Sequence, residues 1–334
     1  MKQPCKKMNA LFLIMVVTYL AVSGVISLLA QRMSVNVMVA LTLGELSVLI
    51  PGIIFLLLFH CDIAEWIPLK PVRGSTIGFT LLLTLLIQPL LYFLNAFSQL
   101  FEKNVAADLF TRVEDIPAPF LLFVIGILGP FCEEAVFRGI LFSGFKRSKR
   151  IFASILWTAF LFGLFHMNLN QFGYAMVIGI VGALLVEATG SLLPSLIMHI
   201  AVNSLNVLQM LAVEAAYKMM GEHFSDLVEE AEQTVTPSNL LFISGALLVP
   251  ATIATALAVV VYIAILKREG TLGHVRSILP FSGSAGTEVP ATADLTEEED
   301  VPKQSVISAT GVIGAAICLF LIFAFERIMQ LLGQ

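Results

Sequence analysis

Charge is what this chain has least of. Asp, Glu, Lys and Arg make up 13% of its 334 residues, where a soluble domain carries roughly a quarter. Hydrophobic residues make up 58%, and the mean hydropathy is +0.92. That balance excludes a soluble enzyme and makes the chain a polytopic membrane protein. Cysteine is scarce as well. The four present (Cys5, Cys61, Cys132, Cys318) are scattered, with no CxxC pair and no zinc-ribbon spacing, so neither a disulfide framework nor a cysteine metal cluster is expected. The net charge of −5 comes without a basic stripe, so nucleic acid is not an expected partner. No internal repeat is visible, and H-E-x-x-H is absent. The first apolar run follows Lys2, Lys6 and Lys7 and has no A-x-A exit, which predicts a retained signal anchor.

Long apolar runs are what the chain does have. A span needs about 20 apolar residues, and the candidates are 9–30, 39–59, 76–97, 118–142, 151–165, 172–186, 192–212, 239–266 and 306–325. The expected fold class is all-α: a polytopic transmembrane helical bundle of about eight to nine spans, the short fifth and sixth setting the range. With a cytoplasmic N-terminus, thirteen Lys and Arg fall inside and five outside, and only Arg138 lies within a span. That asymmetry satisfies the positive-inside rule and predicts a multi-pass protein of the cytoplasmic or plasma membrane. The organisation expected is a three-span region at 1–117 and a charged bundle at 118–212. An acidic outer loop or surface helix follows at 213–238, then a span at 239–268. A disordered cytoplasmic linker rich in Gly, Ser, Thr, Pro and Glu occupies 269–305, and a final span 306–334.

The few charges are therefore informative. "GPFCEEAVFRGILF" (129–142) places Glu133, Glu134 and Arg138 in a span. On insertion scales three such residues cost about 8–10 kcal/mol, against about 4–8 from the fourteen Leu, Ile, Val and Phe of 118–142. The charged face must look into protein. Glu134 and Arg138 are i,i+4 and form a structural ion pair. Glu133 lies about a hundred degrees round the helix, with Gly129 and Phe137 at i±4 and no basic partner there. An unpaired intramembrane carboxylate is a functional-site candidate.

Two of the five histidines fall in spans. His166 is four residues after Phe162, and His199 is four before Asn203, each pair sharing a face. Each histidine alone fits a core residue bonded to a carbonyl, but both occur in the bundle that holds the carboxylates. His60, His223 and His274 read as solvated loop residues, Glu45 as a helix-packing contact, and Glu187 as snorkelling from a span end. Glycines 173, 179 and 182 predict close helix packing. Pro130 and Pro194 suggest tilted or broken helices around a cavity.

These motifs, E-E-x-x-x-R (Glu133, Glu134, Arg138), F-x-x-x-H (Phe162, His166) and H-x-x-x-N (His199, Asn203), resemble the CPBP family. That family comprises type II CaaX prenyl endopeptidases and bacterial relatives linked to bacteriocin immunity and peptide processing. The resemblance covers about 118–212. It implies that Glu133, with His166, activates a water for attack on a peptide carbonyl, and that His199 and Asn203 stabilise the oxyanion. Glu134, Arg138 and Phe162 are implied to support the site. The implied protein is an intramembrane endopeptidase acting on a membrane-associated or lipidated protein or peptide at the bilayer. A metal-free mechanism is expected; zinc held by Glu133, His166 and His199 is the alternative, since His₂Glu is a catalytic zinc set. A catalytically silent scaffold or chaperone, and a proton-coupled transporter, are the competing functions. The missing inverted repeat speaks against transport.

Overall fold

The computed structural model describes residues 3–33, 35–102, 116–221, 236–280 and 305–331, and every regular element among them is helical. In chain order the helices are α1 (Pro4–Ala30), α2 (Val37–Leu58), α3 (Ile63–Trp66), α4 (Gly74–Ser98) and α5 (Ala118–Lys146). There follow α6 (Ile151–Phe165), α7 (Leu169–Thr189), α8 (Leu193–Met220), α9 (Pro237–Glu269), α10 (Leu272–Ile278) and α11 (Ala309–Leu331). Seven of them, α1, α2, α4, α5, α7, α8 and α9, are long and apolar enough to cross a membrane, while α6 and Ala309–Ala324 are shorter apolar helices. The protein is an all-α multi-pass bundle.

Local chemistry sets several of the helix ends. Asn36 and Asn168 cap α2 and α7, their side chains accepting from the amides of Met38 and Gln171. Thr236 caps α9 with Pro237 in its first turn, and Gly190 and Gly270 close α7 and α9 at φ +64° and +74°, left-handed geometry that glycine adopts freely. Pro194 lies in the first turn of α8. Its missing N–H has no intrahelical partner there, so it starts the helix instead of breaking it. Pro130 acts differently. It follows a π-helical stretch, Leu122–Leu128, and a second one, Ala135–Leu141, succeeds the α-helical Gly129–Glu134. Proline has no amide to continue a hydrogen-bond ladder, and π-helical turns often accompany functional sites. The charged segment is thus framed by two widened windings.

The connections sort to two ends of the bundle. At one end Ser191 Oγ donates to the Lys70 carbonyl at 2.6 Å, the Leu192 amide to the Pro68 carbonyl at 2.8 Å, and Arg73 to the Arg268 carbonyl at 2.7 Å. Asn9 donates to the carbonyls of Cys5 and Val306, both at 2.8 Å, and accepts from Trp157 at 2.9 Å. The start of α11 is thereby held against α1. This end carries Lys6, Lys7, Lys70, Arg73, Lys146, Arg147, Lys149, Arg150, Lys267, Arg268 and Arg276. At the other end Glu102 accepts from the Asn168 side chain at 2.8 Å and the Asn170 amide at 3.0 Å. Arg32 and Lys218 are the basic side chains described there.

Several expectations change here. Residues 269–280, assigned to the disordered linker, are folded: Val275 on α10 is buried, and Thr271 Oγ donates to the Ala188 carbonyl at 2.9 Å. An apolar docking residue and a polar anchor outweigh a linker-like composition. Residues 281–304 lie outside the described residues. So do 222–235, the greater part of the expected acidic loop, and His223 with them; α8 runs on to Met220. Glu187 does not snorkel. It is buried between Lys146 at 2.7 Å and His274 at 3.0 Å, so His274 is a partner and not merely solvated.

Close packing falls on two of the three α7 glycines. A Cβ on Gly179 would stand 2.8 Å from Ala159 Cα, and one on Gly182 would stand 2.5 Å from Ser195 Oγ and 3.1 Å from Arg138 Nε; Gly173 meets only Leu94, at 3.9 Å. Gly182→Ala should therefore lower stability by about 1–3 kcal/mol, read as thermal melting in detergent, whereas Gly173→Ala should be tolerated. Equal melting of the two variants would mean that α7 is not pinned at Gly182.

Candidate active site

α5, α6 and α8 bring the motif residues together. Glu134 on α5 is fully buried, and its carboxylate lies 3.0 Å from Arg138 Nη1, one helical turn on. The same carboxylate accepts from His199 Nδ1 at 2.9 Å and from Ser195 Oγ at 2.6 Å. Both partners are on α8, four residues apart. A carboxylate that accepts at Nδ1 fixes the imidazole tautomer and its ring plane. His199 Nε2 then faces Glu133 Oε2 at 3.5 Å. The ion pair expected of Glu134 and Arg138 is present, and it also orients His199.

Phe162 is the hub of this cluster. Arg138 Cζ lies 4.1 Å from its ring centroid, a cation–π arrangement, and His166 and His199 meet the ring edge-on at 5.0 and 5.8 Å. One aromatic ring therefore sets the guanidinium and both imidazoles. His166 Nδ1 donates to the Phe162 carbonyl at 2.9 Å, which leaves Nε2 with its lone pair. Asn203 Nδ2 donates to the carbonyl of Ile125 at 3.2 Å, and a Cβ on Gly126 would strike Ser204 Oγ at 2.8 Å. Asn203 and Ser204 thus lock α8 onto the first π-helical stretch of α5.

Glu133 faces the other way, into a cavity of about 460 Å³. His166 and Gln171 line it at one side, and Tyr19, Ser23, Ser27, Glu45 and Val48 at the other. Glu45, read in the sequence as a packing residue, is a wall of the candidate site. Its carboxylate approaches α5 where Gly129 offers no side chain: a Cβ there would stand 3.0 Å from the carboxylate carbon and both oxygens. Gly129 is four residues before Glu133, so the two carboxylates sit against one face of α5. Sequence spacing held no trace of this, because Glu45 arrives from a separate helix. Ser195 was also missed, although S-x-x-x-H-x-x-x-N places it on the His199–Asn203 face.

His166 and His199 are each anchored through Nδ1, as metal ligands often are. Yet among the described residues no three of His, Cys, Asp and Glu converge closely enough to hold an ion. Glu133, His166 and His199 form no such group here.

Residues 115–205 match the family model described as Type II CAAX prenyl endopeptidase Rce1-like. The match spans α5 to the first half of α8 and includes every motif residue above. Comparisons with curated proteins and with solved structures returned no match.

Proposed function

We propose that residues 115–205, which match the Type II CAAX prenyl endopeptidase Rce1-like family model, form a membrane protease domain in which each motif residue has its own chemical role. Glu133 and His166 hold one water between them in the cavity. Glu133 takes a proton from it as the oxygen attacks a peptide carbonyl, and His166 Nε2 accepts a hydrogen bond from the same water. The oxyanion that forms is stabilised by His199 as the doubly protonated ring, its Nε2–H donating to the oxyanion while its Nδ1–H donates to Glu134. Collapse breaks the C–N bond, and the proton held by Glu133 passes to the leaving amine. The balance is one water consumed, one carboxyl and one amine formed. The observation that carries this reading is that Glu133 and His166 share a cavity wall beside a buried Arg138–Glu134–His199 relay.

Substrate binding falls to the cavity walls. Their apolar side (Ile26, Leu41, Val48, Phe165) suits an extended stretch of a lipid-associated peptide. Mapping new N-termini in membranes that contain wild-type protein or the Glu133→Ala variant tests the activity. Cleavages present in the first and missing in the second support it; identical termini in both defeat it.

Asn203 is the oxyanion donor that the family resemblance implies. Its Nδ2 carries two hydrogens, one of them given to Ile125, so the second serves the oxyanion. Asn203→Ala should then lower kcat by roughly 10²-fold with little change in KM. A variant that melts earlier but turns over normally per folded molecule would make Asn203 a helix buttress only.

A further inference from the structure

We propose that the cavity receives its peptide from the non-cytoplasmic side of the membrane. The substrate is then an apolar segment of an exported or membrane-inserted protein, lying in or at that leaflet, and not a cytoplasmic C-terminal tail. The inference rests on the protease reading above but is carried by different observations.

The first is where the lining lies along the helices. α1 runs away from the basic end, and its buried residues stop at Val16; the cavity takes over from Tyr19 to Ser27. α2 returns, lines the cavity from Val37 to Val48, and buries Ser47 to Leu56 nearer the basic end. On both helices the lining therefore falls in the half away from the basic end. The second observation is the length of α6. It leaves the basic end with 15 residues, about 22 Å at 1.5 Å each, short of a hydrocarbon layer of about 30 Å. The chain therefore turns at His166 inside the membrane, and a well remains above it. Toward the basic end the route is filled by Met8, Phe12, Met15, Phe137, Ile140 and Phe145, all fully buried.

The third observation is charge. The plugged end gathers nearly all the described basic side chains, and the end to which the well opens holds Arg32 and Lys218. Basic loops stay in the cytoplasm, so the well faces away from it. A cytoplasmic tail would have to pass the plug to reach Glu133; a segment in the opposite leaflet enters between α1 and α2.

Two single-cysteine probes test this in the full-length protein with Cys61 replaced by alanine, the remaining cysteines (Cys5, Cys132 and Cys318) being buried. Ser27→Cys stands at the mouth of the well and Lys70→Cys at the basic end. In sealed spheroplasts a membrane-impermeant sulfonated maleimide should label Ser27→Cys, and Lys70→Cys only after lysis. Labelling of Lys70→Cys but not Ser27→Cys in sealed cells overturns the proposal. The labelling reads orientation whether or not anything is cut, so missing cleavage in wild-type membranes defeats the protease reading separately.

Discussion

Glu133→Gln should remove proteolysis, with kcat falling by about 10³-fold or more, while the protein accumulates and melts like wild type. General-base catalysis contributes roughly 10²–10⁴-fold, and the amide keeps the side chain's size while losing its basicity. Stability should hold because, among the described residues, Glu133 forms no ion pair with a lysine or arginine; it faces His199 Nε2 at 3.5 Å. Glu134→Gln should behave in the opposite way. That change strips the charge from a carboxylate serving Arg138, His199 and Ser195 together, so protein level should fall first. Activity and expression measured for both variants decide the matter. A Glu133→Gln protein that is degraded, beside a Glu134→Gln protein that is abundant and inert, would exchange the two roles.

Arg138→Ala should be the most destabilising single change in the bundle. It leaves Glu134 buried without its cation, and breaking a buried pair from one side costs about 3–5 kcal/mol. The Arg138 nitrogens have no other hydrogen-bond partner among the described residues. Its support is the charge of Glu134 and the face of Phe162, both of them specific to this position. Replacing Glu134 and Arg138 together with methionine should recover much of the stability, because no unpaired charge remains. Activity should not return, since His199 would lose the acceptor that orients it. Protein levels and melting temperatures of the single and double variants test this; a double variant no more stable than Arg138→Ala would place the loss in packing against Phe162.

The sequence was most legible where one helix holds all the information. Glu134 and Arg138 are one turn apart, and their pairing followed from i,i+4 spacing alone. The apolar runs marked the helices because lipid imposes a length on each. Contacts between helices were another matter. Glu45 meets Gly129 from a helix more than eighty residues earlier, and Lys146, Glu187 and His274 converge from three elements. No periodicity reports such a meeting. The two π-helical stretches of α5 were equally hidden, since their residues are ordinary apolar ones and only Pro130 hints at a break. Composition misled at α10, where buried Val275, the Thr271 bond to Ala188 and the His274–Glu187 contact dock a segment that otherwise looks like linker.

The cavity charge gives a smaller effect of the same kind. Glu45→Gln removes a carboxylate that faces the site but is not assigned to the water. Its kcat/KM should change far less than that of Glu133→Gln, within about tenfold, roughly the worth of one 1.4 kcal/mol interaction. Steady-state kinetics of the two variants on one peptide check this. A loss as large as that of Glu133→Gln would bring Glu45 into the chemistry.

The central claim is that Glu133 and His166 act on the same water, and a double-mutant cycle addresses it most directly. Residues that work as a unit are strongly non-additive. With purified protein in nanodiscs and a peptide that the wild type cleaves, kcat/KM is measured for Glu133→Gln, His166→Ala and the double variant. The account predicts that each single change costs nearly as much as the pair, so that the double variant is scarcely worse than either. Losses that multiply would contradict it, showing that Glu133 and His166 serve separate steps.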